Sequence, residues 1–115
     1  MDDLFLVKKK CGIAFKIFIK LHKLILSLNK QINFRVFPIY VRYSLGEKNI
    51  ALIYFKGKFI TGGLLDLGLN LDQRPEVKEF IEAVHMHYPG ISYSIKLKNL
   101  KDITPSVIKT IKSIV

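Results

Sequence analysis

Between residues 34 and 98, short extended runs alternate with turn signals, and this pattern restricts the fold more than any other feature of the chain. The runs are rich in β-branched and aromatic residues, as strands are. A charged segment, residues 75–88, is predicted to be a helix, because Pro75 suits a first helical turn and Pro89-Gly90 would end it. Residues 91–98 alternate apolar and polar side chains, as a last strand would. We therefore expect an α+β fold with an antiparallel sheet of four to five strands.

Two further helices are expected to cover one face of this sheet. Apolar residues from Ala14 to Leu28 recur at helical spacing, and the lysines between them line a narrow edge, so the N-terminal helix should be mostly buried. Thr104 and Pro105 are the residue types of a helix cap and a first turn, which places a C-terminal helix at residues 105–115. Residues 1–115 are expected to form one domain, with residues 1–12 as a lead whose structure the pattern leaves open.

The cysteine content and the placement of charge indicate where such a chain works. Its 115 residues can bury a core without disulfides, and the single Cys11 cannot form one within the chain, which favours a cytoplasmic location. Lysines interrupt the apolar residues from Leu4 to Leu28, and each would be costly inside a bilayer. We expect no membrane insertion.

The charge is strongly asymmetric along the chain. The formal net charge is +10, and residues 8–58 hold twelve of the nineteen Lys and Arg residues against one acid, a local charge of +11. Residues 59–90 carry a local charge of −3. A field of this kind favours an anionic partner. The alternative explanation is that lysine simply occupies solvated positions.

Nucleic acid is the polyanion that the pattern favours, because cations alternate with aromatic residues on the predicted strands. A protein-interaction module, possibly a homodimer, is the alternative, because the first helix is apolar over most of its circumference. The residues expected to contact nucleic acid are Lys16, Lys20, Lys23, Lys30, Arg35, Arg42, Lys56 and Lys58.

No motif in the chain predicts catalysis, a cofactor or a metal, so we expect a binding protein and not an enzyme. His85 and His87 could form a metal pair in an extended segment, but they fall at the end of a predicted helix, where this spacing separates them by about half a turn. Asp66 lies between leucines in a segment predicted to be a half-buried strand. Asp66, His85 and His87 are therefore the candidates for a further site. The glycines near Asp66, which are Gly62, Gly63 and Gly68, are attributed to a bulge and to the close approach of a strand or helix.

Several segments resemble a bacterial domain family of unknown function that is often labelled "predicted transport protein". The resemblance covers roughly residues 20–115 and rests on Ile50 to Phe55, Leu65 to Leu71, Met86-His87-Tyr88, Ile91 to Leu97, and Asp102-Ile103 with the final helix. It implies a small α+β fold and no particular role. The outline is also similar to double-wing DNA-binding proteins and to frataxin-like iron chaperones. Iron chaperones of that kind rely on an acidic ridge, whereas the first helix here is basic.

Overall fold

The computed structural model describes residues 3–57 and 64–115, and in this part of the chain helices lie at both ends of a run of strands. The helices are α1 (Asp3–Cys11), α2 (Phe15–Ser27) and α3 (Pro105–Lys112). The strands are β1 (Ile32–Val36), β2 (Tyr40–Leu45), β3 (Lys48–Tyr54), β4 (Leu65–Leu69), β5 (Ile81–Glu82) and β6 (Tyr93–Leu97). Short 3₁₀ turns lie at Gly12–Ala14, Val84–Met86 and Leu100–Asp102.

The described strands form one antiparallel sheet in the order β1-β2-β3-β4-β6-β5. This confirms the predicted α+β class, the N-terminal and C-terminal helices and the last strand. The sheet has six strands instead of four to five, because the two-residue β5 adds to the edge of β6. No helix in residues 3–57 or 64–115 combines the length and the apolar content needed to cross a bilayer.

The helices cover one face of the sheet, which we call the inner face. Phe18 and Leu21 of α2 and Ile111 of α3 are fully buried there in one apolar core with side chains from the strands. The strand residues of this core include Val41, Tyr43, Ala51, Ile53, Leu65, Leu67, Leu69, Ile95 and Leu97. They alternate along each strand, as the period of two requires. The apolar positions of α2 therefore form its buried face, and its lysines face solvent.

The first described residues form a helix of their own. Residues 1–12, which the sequence pattern left open, contain α1, and its residues Val7 and Cys11 join the inner-face core. Gly12 has φ +59°, a left-handed conformation that favours glycine, and separates α1 from the following turn.

Strand β4 is buried on both faces, so the prediction of a half-buried strand is wrong. All five residues of Leu65–Leu69 are buried. Leu65, Leu67 and Leu69 face the inner core, whereas Asp66 and Gly68 face the opposite side, which we call the outer face. There Ala83, Met86 and Ile91 form a second apolar cluster with Leu52 and Tyr54 of β3. We call residues 83–91 the outer cover.

The predicted helix at residues 75–88 does not form. In its place the chain makes turns up to Phe80, the strand β5 and the 3₁₀ turn Val84–Met86. Phe80 is buried in the inner core, but Ala83 and Met86 are buried in the outer cluster. The segment must therefore pass around the edge of the sheet, where the Ala83 backbone N–H donates to the Ser92 carbonyl at 2.9 Å. Tertiary packing and pairing with β6 outweigh a helical preference that is weak for so short a segment.

Several sequence predictions lie outside the described residues. These are the role of Lys58, the strand predicted at Phe59-Ile60-Thr61 and the bulge predicted at Gly62-Gly63.

The N-terminal cap of α3 allows a test of the helix-capping prediction made from the sequence. The Thr104 side-chain Oγ1 accepts the Val107 backbone N–H at 3.2 Å, and Pro105 occupies the first helical turn, as predicted. Thr104→Ala should lower the free energy of unfolding by about 1 kcal/mol, because one N–H at the helix start loses its acceptor. Urea denaturation measures this change. The control Ser106→Ala, at an exposed position in the same turn, should change stability by less than about 0.5 kcal/mol. Equal losses would contradict the cap.

Candidate functional site

The predicted nucleic-acid-binding residues fall into two groups on opposite sides of the sheet. Lys16, Lys20 and Lys23 are exposed on α2, and Lys30 is exposed just after it. We call these four residues the helix lysines. Arg35 and Arg42 lie on the outer face, because Arg42 pairs with Leu52, a member of the outer cluster. The sequence analysis placed both groups on one surface, and the structure separates them.

The helix lysines form a row along α2. Intervals of four and three residues place Lys16, Lys20 and Lys23 on one side of the helix, spread over about 10 Å of its axis. The opposite side is fixed against the sheet by Ile17, Phe18, Leu21 and Ile25, all buried. Among the described side chains, no Lys or Arg lies within 4.0 Å of a carboxylate. The row therefore presents cations that neighbouring acids do not neutralise.

The two arginines are engaged within the chain. Arg35 and Arg42 lie directly opposite each other in the β1–β2 register, a placement that costs free energy for like charges. Their guanidinium carbons lie 5.1 and 5.4 Å from the Phe37 ring centroid, close enough for cation–π attraction. Arg42 Nη1 also lies 3.5 Å from the hydroxyl oxygen of Tyr88, at the outer limit for donation. Lys56 is exposed beyond the end of β3.

A cluster of tyrosines beside Arg42 was missed by the sequence analysis. The Tyr40 ring lies 4.9 Å from that of Tyr54 and 5.9 Å from that of Tyr88. Burial first, and then a hydrogen bond with Tyr88, raise the pKa of Tyr40 to about 12. The alternating pattern indicated aromatic side chains on these strands but could not reveal that Tyr88 joins them from the outer cover.

The structure brings together two of the three further candidates, Asp66 and His85. His85 Nε2 lies 3.0 Å from Asp66 Oδ2, and the carboxylate side chain is almost completely buried. Asp66 projects from β4 onto the outer face, and the 3₁₀ turn Val84–Met86 carries His85 over it. This close approach depends on Gly68, because a Cβ there would lie 2.7 Å from both Met86 Sδ and Ile91 Cγ2. The prediction of close approach is confirmed for Gly68.

Burial raises the pKa of the Asp66 carboxyl. The hydrogen bond and charge of His85, and then the charge of Lys96, oppose this shift. The Ser94 hydroxyl lies near the carboxyl but lacks hydrogen-bond geometry, and the buried atoms Asp66 Oδ1 and Ser94 Oγ have no hydrogen-bond partner within residues 3–57 and 64–115. Among these residues, the carboxylate is therefore held in place on one oxygen only.

His87 does not join this pair. It is exposed, with φ 48° at the end of the 3₁₀ turn. Across the described part of the chain, no three His, Cys, Asp or Glu side chains converge as metal ligands would. The third histidine, His22, lies in the inner core, where its Nδ1 and the Tyr43 hydroxyl are 2.7 Å apart.

Cys11 lies on the inner side of the sheet, away from Asp66 and His85. It is 8% exposed within the inner core, and burial raises the pKa of its thiol to about 12. The thiolate is the reactive form of cysteine, and the raised pKa keeps the Cys11 thiol protonated. We therefore interpret Cys11 as a small core side chain.

Two cavities among the described residues lie away from the Asp66–His85 pair, and a third, about 450 Å³, is lined by Val84, His87 and Tyr88 of the outer cover. One of the first two, about 630 Å³, lies between residues 71–77 and α3 and contains no predicted site residue. A smaller one, about 230 Å³, joins Lys16 of the helix lysines to Lys98 and Asn99 after β6. Lys98 was also missed by the sequence analysis, because only the folded chain brings it to α2.

Comparisons with protein-family models, with curated proteins and with solved structures find no match to this chain. The resemblance described above stays a prediction.

The burial of Asp66 predicts a specific dependence of stability on pH. A carboxyl whose pKa is raised by folding binds its proton more tightly in the folded state. Its contribution to stability therefore falls as pH rises from the ordinary value of 3.8 through the folded pKa. Asp66→Asn should remove this loss, so the stability of the variant relative to the parent should increase with pH in that window. Urea denaturation across a pH series measures it.

Asp102 provides a control of opposite sign. Backbone hydrogen bonds from Asn99 and Lys98 lower the pKa of its carboxyl. Its stabilising contribution is therefore present above 3.8 and lost as pH falls through the folded pKa. Asp102→Asn should lose stability relative to the parent as pH rises. The same pH trend in both variants would contradict the assignment for Asp66.

The Cys11 thiol should react slowly in the folded protein. Because it is buried and its pKa is raised, iodoacetamide should alkylate it far more slowly in native buffer than in denaturant at the same pH. Mass spectrometry of quenched samples gives both rates. Comparable rates in the two conditions would show that Cys11 is accessible as a thiolate.

Proposed function

We propose that this chain is a non-catalytic binding protein for a polyanion, with nucleic acid as the first candidate, and that the helix lysines make the contact. The observation that carries the proposal is the row of exposed lysines on α2, none of which is paired with a carboxylate among the described side chains. Lysines without a carboxylate partner can bind the phosphates of a nucleic acid, and this binding releases the counterions that had condensed on the nucleic acid. The formal net charge of +10 provides a long-range attraction that adds to these contacts.

The helix lysines are the better surface because the outer arginines already have partners. Arg35 and Arg42 share the Phe37 ring, and Arg42 reaches Tyr88. Contact with a phosphate through these side chains would compete with the interactions that offset their mutual repulsion. When the lysines on α2 bind a phosphate, they do not have to give up a contact with a described carboxylate.

A protein-interaction module is the second candidate function. The original argument for it weakens, because Phe15, Ile19, Leu24 and Leu26 of α2 pack against the inner core of the same chain. A different observation supports it: Ile81 of the short edge strand β5 is 50% exposed, and Val84, just after this strand, is 68% exposed. Apolar side chains next to an open strand edge favour pairing with another chain. Light scattering over a concentration series tests self-association, and Val84→Lys should reduce it.

The first proposal predicts loss of affinity when the lysine row is reversed in charge. Lys20→Glu with Lys23→Glu should weaken binding to random-sequence DNA and RNA fragments by at least about tenfold at low salt. The slope of log affinity against log salt concentration should become shallower by about 1.4 to 1.8, because each lost phosphate contact reduces it by about 0.7 to 0.9. Fluorescence anisotropy with labelled fragments measures both quantities.

The matched control carries the same change of charge away from α2. Lys48→Glu with Lys78→Glu alters two exposed lysines that are not among the predicted contacts and should cost much less affinity. Equal losses in the two variants would contradict the helix lysines as the contact surface. No binding by the parent chain at low salt would contradict nucleic acid as the ligand, and binding without salt dependence would contradict the phosphate mechanism.

A further inference from the structure

We infer that the cavity between the start of α2 and the chain after β6 is a site for one phosphate group. The inference rests on the proposed function and deepens it, since it assigns an anchored phosphate to one end of the lysine row. The cavity has a volume of about 230 Å³. Its lining residues are Ile13, Ala14, Lys16, Ile17, Lys98, Asn99 and Leu100.

The cavity joins two cationic segments that are distant in sequence. Lys16 comes from the exposed edge of α2, and Lys98 follows the last residue of β6. Both lysines are exposed, and no carboxylate is among the described residues that line the cavity. Each ammonium group provides three donors, and Asn99 adds an amide. These donors suit an oxyanion, and the lining offers a metal cation no carboxylate, imidazole or thiolate ligand.

Asp102, which follows this segment in the chain, holds the backbone of Lys98 and Asn99 in place. Asp102 Oδ2 accepts the backbone N–H groups of Lys98 at 2.8 Å and Asn99 at 2.9 Å. These bonds, and to a smaller extent the charges of Lys101 and Lys98, lower the pKa of the Asp102 carboxyl, and the bonds fix the chain from which Lys98 and Asn99 project. The backbone on this side of the cavity is therefore held in one conformation before any ligand arrives, which reduces the entropy cost of binding.

The size of the cavity matches one charged group and not a whole nucleotide. Pockets that enclose complete small molecules begin at about 300 Å³. Of the four apolar side chains at the cavity, Ala14 and Ile17 are buried, whereas Ile13 and Leu100 are 87% and 43% exposed. The site is therefore open to water, and salt screens the attraction between a bound phosphate and the two lysines.

The position of the cavity favours a nucleic-acid backbone as the source of the phosphate. Lys20 and Lys23 continue from Lys16 along the same side of α2. A strand with one phosphate in the cavity can place further phosphates against these lysines. Lys98 should therefore contribute more to affinity than an exposed lysine elsewhere on the molecule.

The test compares Lys98→Gln with Lys48→Gln, two variants that each remove one exposed positive charge. At about 50 mM salt, Lys98→Gln should weaken binding to a labelled single-stranded oligonucleotide by about tenfold, the share of one phosphate contact. Lys48→Gln should change it by less than about twofold. Circular dichroism checks that both variants keep the fold. Equal effects of the two variants would overturn the inference.

A second measurement separates failure of the site from failure of the proposed function. Titration of the isotope-labelled chain with inorganic phosphate should shift the backbone amide signals of residues 13–17 and 98–100 saturably, and Lys98→Gln should abolish these shifts. If phosphate binds there but the oligonucleotide does not bind the chain, the site stands and the proposed function fails. If the oligonucleotide binds and both variants are equal, the function stands and the site fails. Shifts spread evenly over all lysines would also overturn the site.

A third arm distinguishes the source of the phosphate. Vesicles containing phosphatidylserine should bind less tightly than the oligonucleotide at equal phosphate concentration and equal salt. Tighter binding to the vesicles, with loss on Lys98→Gln, would assign the cavity to a lipid headgroup and overturn the nucleic-acid source.

Discussion

The outer face of the sheet depends on the absence of a side chain at Gly68. A Cβ at this position would approach Met86 Sδ and Ile91 Cγ2 to 2.7 Å, far inside ordinary contact distance. With glycine there, the outer cover lies directly on β4 and buries it on its second side. The same contact carries His85 over Asp66 and brings Tyr88 to Tyr40 and Arg42. The polar pair and the tyrosine cluster thus depend on one close approach.

The sheet also divides the positive charge of the molecule into two parts with different tasks. On the outer face, Arg35 and Arg42 share an aromatic ring and support the outer cover. On the helical side, the lysines of α2 face solvent, and the chain after β6 adds Lys98 next to Lys16. A cation with an internal partner is costly to redirect towards a ligand, whereas an unpaired one is available. This difference is the physical basis for placing the ligand on α2.

Predictions based on local rules were accurate where neighbouring residues decide the structure. The cap at Thr104 and the helical spacing of α2 both depend on contacts a few residues apart, and both are present. The rules failed at residues 75–88, where Phe80 and Ala83 are buried on opposite faces of the sheet. Helical spacing describes one buried face, so it could not anticipate a segment that turns around a strand edge. Asp66 was recognised as a candidate because a carboxylate among leucines is unusual. That it contacts His85 and not His87 depends on the 3₁₀ turn Val84–Met86.

The sequence by itself determined the α+β class, the amphipathic helix α2 and the excess of positive charge, because periodicity and composition are properties of the chain that folding does not alter. It also determined that Cys11 forms no disulfide within the chain. Only the tertiary structure decided which charged residues share a surface. Strand register and pleat place Arg35 and Arg42 on the face away from α2, and the order of strands β4, β6 and β5 brings Lys98 to Lys16. These placements result from pairing between residues far apart in the chain, which local spacing does not encode.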